Sequence, residues 1–198
     1  MSFVRLRRRD DDRSGRGEDA PDYAEPIVGW RLWSVDREAL VLRSLFHPSI
    51  WPRRRPIVAV CERWRPLARL TDRRHEPPSE RCTCGVYAAA LDTIADYLED
   101  PPGMGVEAVP RVLGLVSLWG SVVECEHGWR ASHAYPAAIY VPSFSSAAGD
   151  PAPEEIAAAL AAYHVPVEIV AASRPEELIE GLERETLSIS RLSSLGGA

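Results

Sequence analysis

The apolar residues of this chain follow a period of two along some stretches and a helical period along others, and the switches between them outline its elements. Residues 1 to 24 show neither period. Arg, Asp, Gly and Ser dominate there, with too little apolar surface to offset the entropy of ordering, so they read as a disordered arm. The β-like pattern begins at Pro26. Residues 27–35 are rich in β-branched and aromatic side chains, Asp36-Arg37-Glu38 supplies a turn, and Leu40 to Phe46 reads as the returning strand. A third strand, Pro56 to Val60, runs directly into Cys61, after which Pro66, Pro77 and Pro78 predict a long irregular segment. A loop of that length inside a compact domain needs something to clip it.

After Gly85 the period changes. Tyr87, Leu91, Ile94 and Leu98 share one helical face, which predicts a helix starting at about Val86 and ending before Pro101-Pro102-Gly103. Val112 to Val123 then reads as a long buried strand, with Gly114 and Gly120 marking bulges or close backbone approach. Glu124 to Gly128 is a turn, Trp129 to Ala134 completes a hairpin, and Ala138 to Val141 adds a short edge strand. Ser, Ala, Gly and Pro fill residues 142–153, a linker. Beyond it come a helix over Glu154 to Tyr163, a strand over Val165 to Ala171, and a last helix to about Glu185. Ser173-Arg174-Pro175-Glu176 marks the start of that last helix. The expectation is therefore an α+β fold. A mostly antiparallel sheet with one main helix occupies residues 25–141, and a helix, strand, helix appendage over 154–198 packs on it.

Composition narrows the class of protein. The 45% hydrophobic and 26% charged residues among 198 describe a globular chain of one domain with appendages, and no run approaches the roughly 18 apolar residues of a membrane span. The basic N-terminus is followed by Asp10-Asp11-Asp12 instead of an apolar stretch, so no secretory signal is expected and a cytoplasmic location follows. All 23 basic residues are arginine, and the net charge of -6 hides an asymmetry. Residues 1 to 91 carry 18 Arg against 13 acids, whereas residues 92 to 198 carry 5 Arg against 16 acids. Such a split fits a nucleic-acid face, or two regions that attract one another.

The chemistry concentrates in three cysteines and a histidine. Cys61, His75, Cys82 and Cys84 lie close along the sequence, and three thiolates with one imidazole match a closed, structural Zn2+ site. In Cys82-Thr83-Cys84-Gly85 two thiolates one residue apart can reach one ion, Gly85 lets the backbone turn, and the positive end of the expected helix favours thiolate over thiol. The other reading of the same residues is buried small cysteines and an unrelated surface histidine. The pattern of zinc-dependent deaminases, HxE before a later PCxxC, fails on His75-Glu76-Pro77-Pro78 and on the CxC. Phosphate loops of the GxxxxGK kind and GxSxG elbows are absent, and no catalytic residue is assigned. Cys125, His127 and His133 offer a second cluster for a metal or nucleophile, against the reading of a hairpin turn. The stretch 53–81 holds nine Arg and four acids, so Arg53, Arg54, Arg55, Arg73 and Arg74 are candidate contacts to phosphates or to an acidic partner, unless they form a solvated loop paired with the acidic second half.

The strings Gly29-Trp30-Arg31-Leu32-Trp33, Cys82-Thr83-Cys84-Gly85-Val86-Tyr87-Ala88, Leu118-Trp119-Gly120 with Val122 and Glu124, and Gly128-Trp129-Arg130-Ala131 with Ala134-Tyr135-Pro136 resemble a mainly actinobacterial protein family to which no activity is assigned. The resemblance covers roughly residues 26 to 141 and implies that Cys61, His75, Cys82 and Cys84 match that family's metal ligands. The function expected from all of this is noncatalytic: a zinc-stabilised adaptor or protein-binding module. A nucleic-acid-binding protein is the alternative, and a metal-dependent enzyme comes third.

Overall fold

The computed structural model describes residues 6–7, 26–47, 49–61, 75–98, 109–144, 149–174 and 176–183. Two long strands form its spine, β6 (Arg111–Cys125) and β7 (Gly128–Pro142), joined by a tight turn at Glu126 and His127. Around them lie β1 (Leu6–Arg7), β2 (Ile27–Val35), β3 (Leu42–Ser44), β4 (Ile57–Val58), β5 (Val86–Ala89) and β8 (Val167–Val170). The helices are α1 (Leu91–Leu98), α2 (Pro153–Leu160) with a 3-10 turn at Ala161–Tyr163, and α3 over 176–183. The fold is α+β and the sheet is mostly antiparallel, β8 on β7 being its parallel pair.

The strand order is β1-β6-β2-β5-β7-β4, with β3 on β2, β8 on β7, and a further pairing of β6 with β7. Because β5 touches β2 at Trp30 and Ala89 and runs along β7 from Ala131 to Gly128, the ladder closes on itself through β2, β6, β7 and β5. That closure bends the long hairpin, and register shifts fall between Leu115 and Val116 and between Trp119 and Val122. Gly120, at φ 78, sits in the second shift, where a residue with a Cβ is strained.

Both faces of β2 are buried, because helices cover the sheet on both sides. Trp33, Val35, Val112, Val116 and Ile139 pack with Ile156 and Leu160 of α2 and with Tyr163. Trp30, Leu32 and Leu113 pack with Ile94 of α1 and with Leu178, Ile179 and Leu182 of α3. The C-terminal helix, strand, helix unit therefore shares the sheet and both cores. Trp33 and Trp51 meet edge to face at 5.3 Å and 87°, a geometry that adds about 1 kcal/mol to the burial of two large rings.

Several expected boundaries move. The helix expected from about Val86 starts at Leu91, because Val86 and Ala88 alternate into the core as strand β5 and Tyr87 points out. Ala138 to Val141 is no separate edge strand: it continues β7, which pairs with β6 on one side and β8 on the other. The strand expected over Pro56 to Val60 shortens to Ile57–Val58, although Ala59 still donates to the Ser132 carbonyl at 2.8 Å. Of the arm expected over 1 to 24, only Leu6–Arg7 is described, paired with Val123 and Val122; the remainder lies outside the described residues, as do 62–74 and the chain beyond 183. Within the expected linker 142–153, Pro142 closes β7, Ser143 bonds to the backbone of Val170 and Ala172, and 145–148 lie outside the described residues.

Candidate metal centre

Three segments meet at the end of the bent hairpin. Cys61 follows directly on β4, His75 enters from the far end of the 62–74 segment, and Cys82 and Cys84 precede β5. The turn at Ser79 to Cys82 is closed by a Cys82 amide to Ser79 carbonyl bond of 3.0 Å. Gly85 then carries the chain into β5 with φ 128, and a Cβ there would come within 3.0 Å of Arg130 Cβ and 3.2 Å of Pro78 Cβ. Only glycine meets both demands, so the CxCG string lies flat against β7.

The donor atoms of Cys61, His75, Cys82 and Cys84 all lie within 4.8 Å of one another. Cys61 Sγ is 3.7 Å from Cys82 Sγ, and a tetrahedral zinc site with Zn–S bonds of about 2.3 Å places its sulfurs about 3.8 Å apart. His75 Nε2 is 3.2 Å from Cys84 Sγ, a little inside the roughly 3.6 Å of the mixed nitrogen and sulfur edge. Three soft sulfurs and one imidazole gathered within 4.8 Å of one another could hold a metal ion.

The two thiols of the CxC string are driven in opposite directions. Burial raises the thiol of Cys82, but hydrogen bonds from the Cys84 amide and from Cys61, Cys84 and His75 outweigh it and bring the group down to about 7. Burial, with the negative charge of Cys82 and Cys61, pushes Cys84 up to about 11 against a hydrogen bond from the Ser79 backbone. Adjacent thiolates repel, and a divalent cation between them removes that conflict.

The helix N-terminus expected to support the thiolates is not there, since β5 follows the CxCG string. Arg130 of β7 supplies positive charge instead. Its Nη1 donates to the carbonyls of Cys82 and Cys84, the latter at 3.0 Å, and its Nε donates to Cys125 Sγ at 3.2 Å. Nothing in the ligand spacing announced this residue. The available signal was an arginine between Trp129 and Ala131 in a strand otherwise short of charge.

The other candidates separate. Cys125 ends β6 and engages Arg130, and His127 is exposed in the hairpin turn. His133 lies farther along β7, with Nδ1 2.9 Å from Ser132 Oγ and its ring stacked on Trp119 at 6.0 Å. Five residues of strand separate Gly128, opposite Cys125, from His133, about 17 Å of rise, so the three do not form one site. Arg53, Arg54 and Arg55 are exposed together just before β4; Arg53 bonds to the Ala39 and Leu40 carbonyls, and the Arg54 amide donates to Tyr135 Oη at 2.9 Å. Arg73 and Arg74 lie outside the described residues. A cavity of about 590 Å³ opens between Ser34 to Glu38 and Arg43 to His47, with Asp36 on its wall. The Asp36 carboxylate is engaged there, accepting from the Glu38 and Ala39 amides at 3.1 and 2.9 Å and from Arg43 at 2.9 Å.

Among the described residues no helix is long and apolar enough to cross a membrane. No known family, curated protein or solved structure matches this chain.

Proposed function

We propose that the protein is a noncatalytic, zinc-stabilised module that binds another protein, working in the reducing cytoplasm where its thiols stay available to metal. The convergence of the Cys61, His75, Cys82 and Cys84 donors within 4.8 Å carries this reading. A closed four-ligand set serves folding, because it leaves no coordination position for substrate or activated water, which disfavours a metal-dependent enzyme. The ion ties the end of β4 to the start of β5, two strands that otherwise make short ladders to β7.

What the clip holds in place is an exposed strand bearing apolar side chains. Val58 on the edge strand β4 and Val60 just beyond it are 54% and 72% exposed, next to the exposed Arg53, Arg54 and Arg55. An extended segment with alternating apolar and acidic residues matches both features, through added strand pairing and charge. The same three arginines favour a second reading, a nucleic-acid phosphate contact.

Amide NMR titrations of the zinc-loaded chain with an acidic, β-branched peptide and with a single-stranded oligonucleotide separate the two. The first reading expects saturable shifts in residues 57–60 with the peptide and no oligonucleotide binding at low salt. Oligonucleotide binding that falls steeply with salt, without a response to peptide, overturns it in favour of the second.

A further inference from the structure

Arg130 is a charged residue that the fold buries, at 5% exposure. No carboxylate pairs with it among the described residues; its hydrogen bonds go to two carbonyl oxygens and a sulfur. The Tyr87 ring, whose centroid is 5.8 Å from the guanidinium carbon, adds a π face and no charge. Carbonyl dipoles satisfy donors, but a buried cation is disfavoured unless a counter-charge lies near it.

A zinc ion with three thiolates and a neutral imidazole carries one net negative charge. The two thiolates of the CxC hang from the same residues whose carbonyls Arg130 grips, and the missing Cβ at Gly85 lets that string rest against the Arg130 side chain. We infer that Arg130 is the counter-ion of the metal centre, a positioning residue that neutralises the zinc–thiolate charge while fixing the CxC backbone to β7. This rests on the zinc reading of the site. Arginine suits the place because its planar fork reaches the Cys82 and Cys84 carbonyls with one nitrogen and Cys125 with another, all without losing its proton. Cys125, being a single thiol, is the alternative source of the balancing charge.

The full chain, loaded with zinc, is titrated with a competing chelator for the wild type, Arg130→Lys, Arg130→Gln and Cys125→Ser, with folding at saturating zinc followed by amide NMR. Lysine keeps the charge and loses the fork; glutamine keeps a donor and loses the charge. Charge compensation predicts that Arg130→Gln weakens zinc binding by about 10- to 100-fold, the usual effect of removing a group that supports metal ligands. Arg130→Lys recovers most of that loss, and Cys125→Ser stays within about twofold of the wild type. A mere tether predicts glutamine as good as or better than lysine, and that order overturns the counter-ion role. So does a Cys125→Ser loss equal to that of Arg130→Gln, which assigns the charge to Cys125. Zinc bound at wild-type affinity by Arg130→Gln defeats this inference alone, whereas a wild-type chain that takes up no zinc defeats the site reading beneath it.

Discussion

At the scale of single residues, the weight falls on a few side chains whose partners are specific. Cys84 is one. It sits 3.2 Å from His75 Nε2 and its carbonyl anchors Arg130, so Cys84→Ala removes a thiolate while leaving the backbone contact in place. Metal binding and folding are coupled in such sites, and the variant is expected to lose zinc and thermal stability together. Metal analysis beside a melting curve checks this, and unchanged zinc stoichiometry rejects Cys84 as a ligand. Asp36 gives a prediction about pH. Hydrogen bonds from the Ala39 and Glu38 amides and from Arg43 hold its carboxyl below the ordinary range, against the effect of burial. A folded-state pKa below the unfolded value means that its contribution is fully present above about pH 4, the unfolded value, and is lost as pH falls through the folded one. Asp36→Asn should therefore lower stability at neutral pH and flatten the acid side of the stability curve, read from melting temperatures between about pH 2 and 7.

At the scale of elements, Tyr163 shows how the C-terminal unit is fastened. Its hydroxyl donates to the Trp51 carbonyl at 2.7 Å and accepts from the Leu42 amide at 3.0 Å, in a fully buried position. Tyr163→Phe leaves both backbone groups unpaired and should cost about 1–3 kcal/mol, measured by urea unfolding. A loss near zero would mean that α2 packs on the sheet without this clamp. The same elements show what the amino-acid pattern makes legible. The β6–β7 hairpin was readable from its apolar run and polar turn, and the grouping of Cys61, His75, Cys82 and Cys84 from residue type and spacing. The onset of α1 was not. Tyr87, Leu91, Ile94 and Leu98 satisfy a helical period, yet Val86 and Ala88 are claimed by pairing with β7, a tertiary contact that local periodicity does not contain. Nor was the continuity of β7, because Pro136 and the alanines beside it look like an interruption when the bulge opposite Leu115 and Val116 is unknown. Arg130 was missed for a related reason: its importance comes from the carbonyls that the closed ladder brings to it.

At the scale of the whole molecule, the Cys61, His75, Cys82 and Cys84 group lies beside β5, the strand through which the ladder closes. Its four donors come from the end of β4, from His75 and from the string before β5, so the proposed ion would join β4 and β5 beside β7. On the proposed reading, the edge strand β4 and the arginines before it would be presented on a frame that depends on that ion. The most direct measurement is X-ray absorption at the zinc edge of the purified full chain, combined with metal stoichiometry. One zinc per chain, bound by three sulfurs at about 2.3 Å and one nitrogen at about 2.0 Å, is the expected result. A chain without bound metal, or zinc held by fewer than three sulfurs with oxygen filling the shell, would contradict the account.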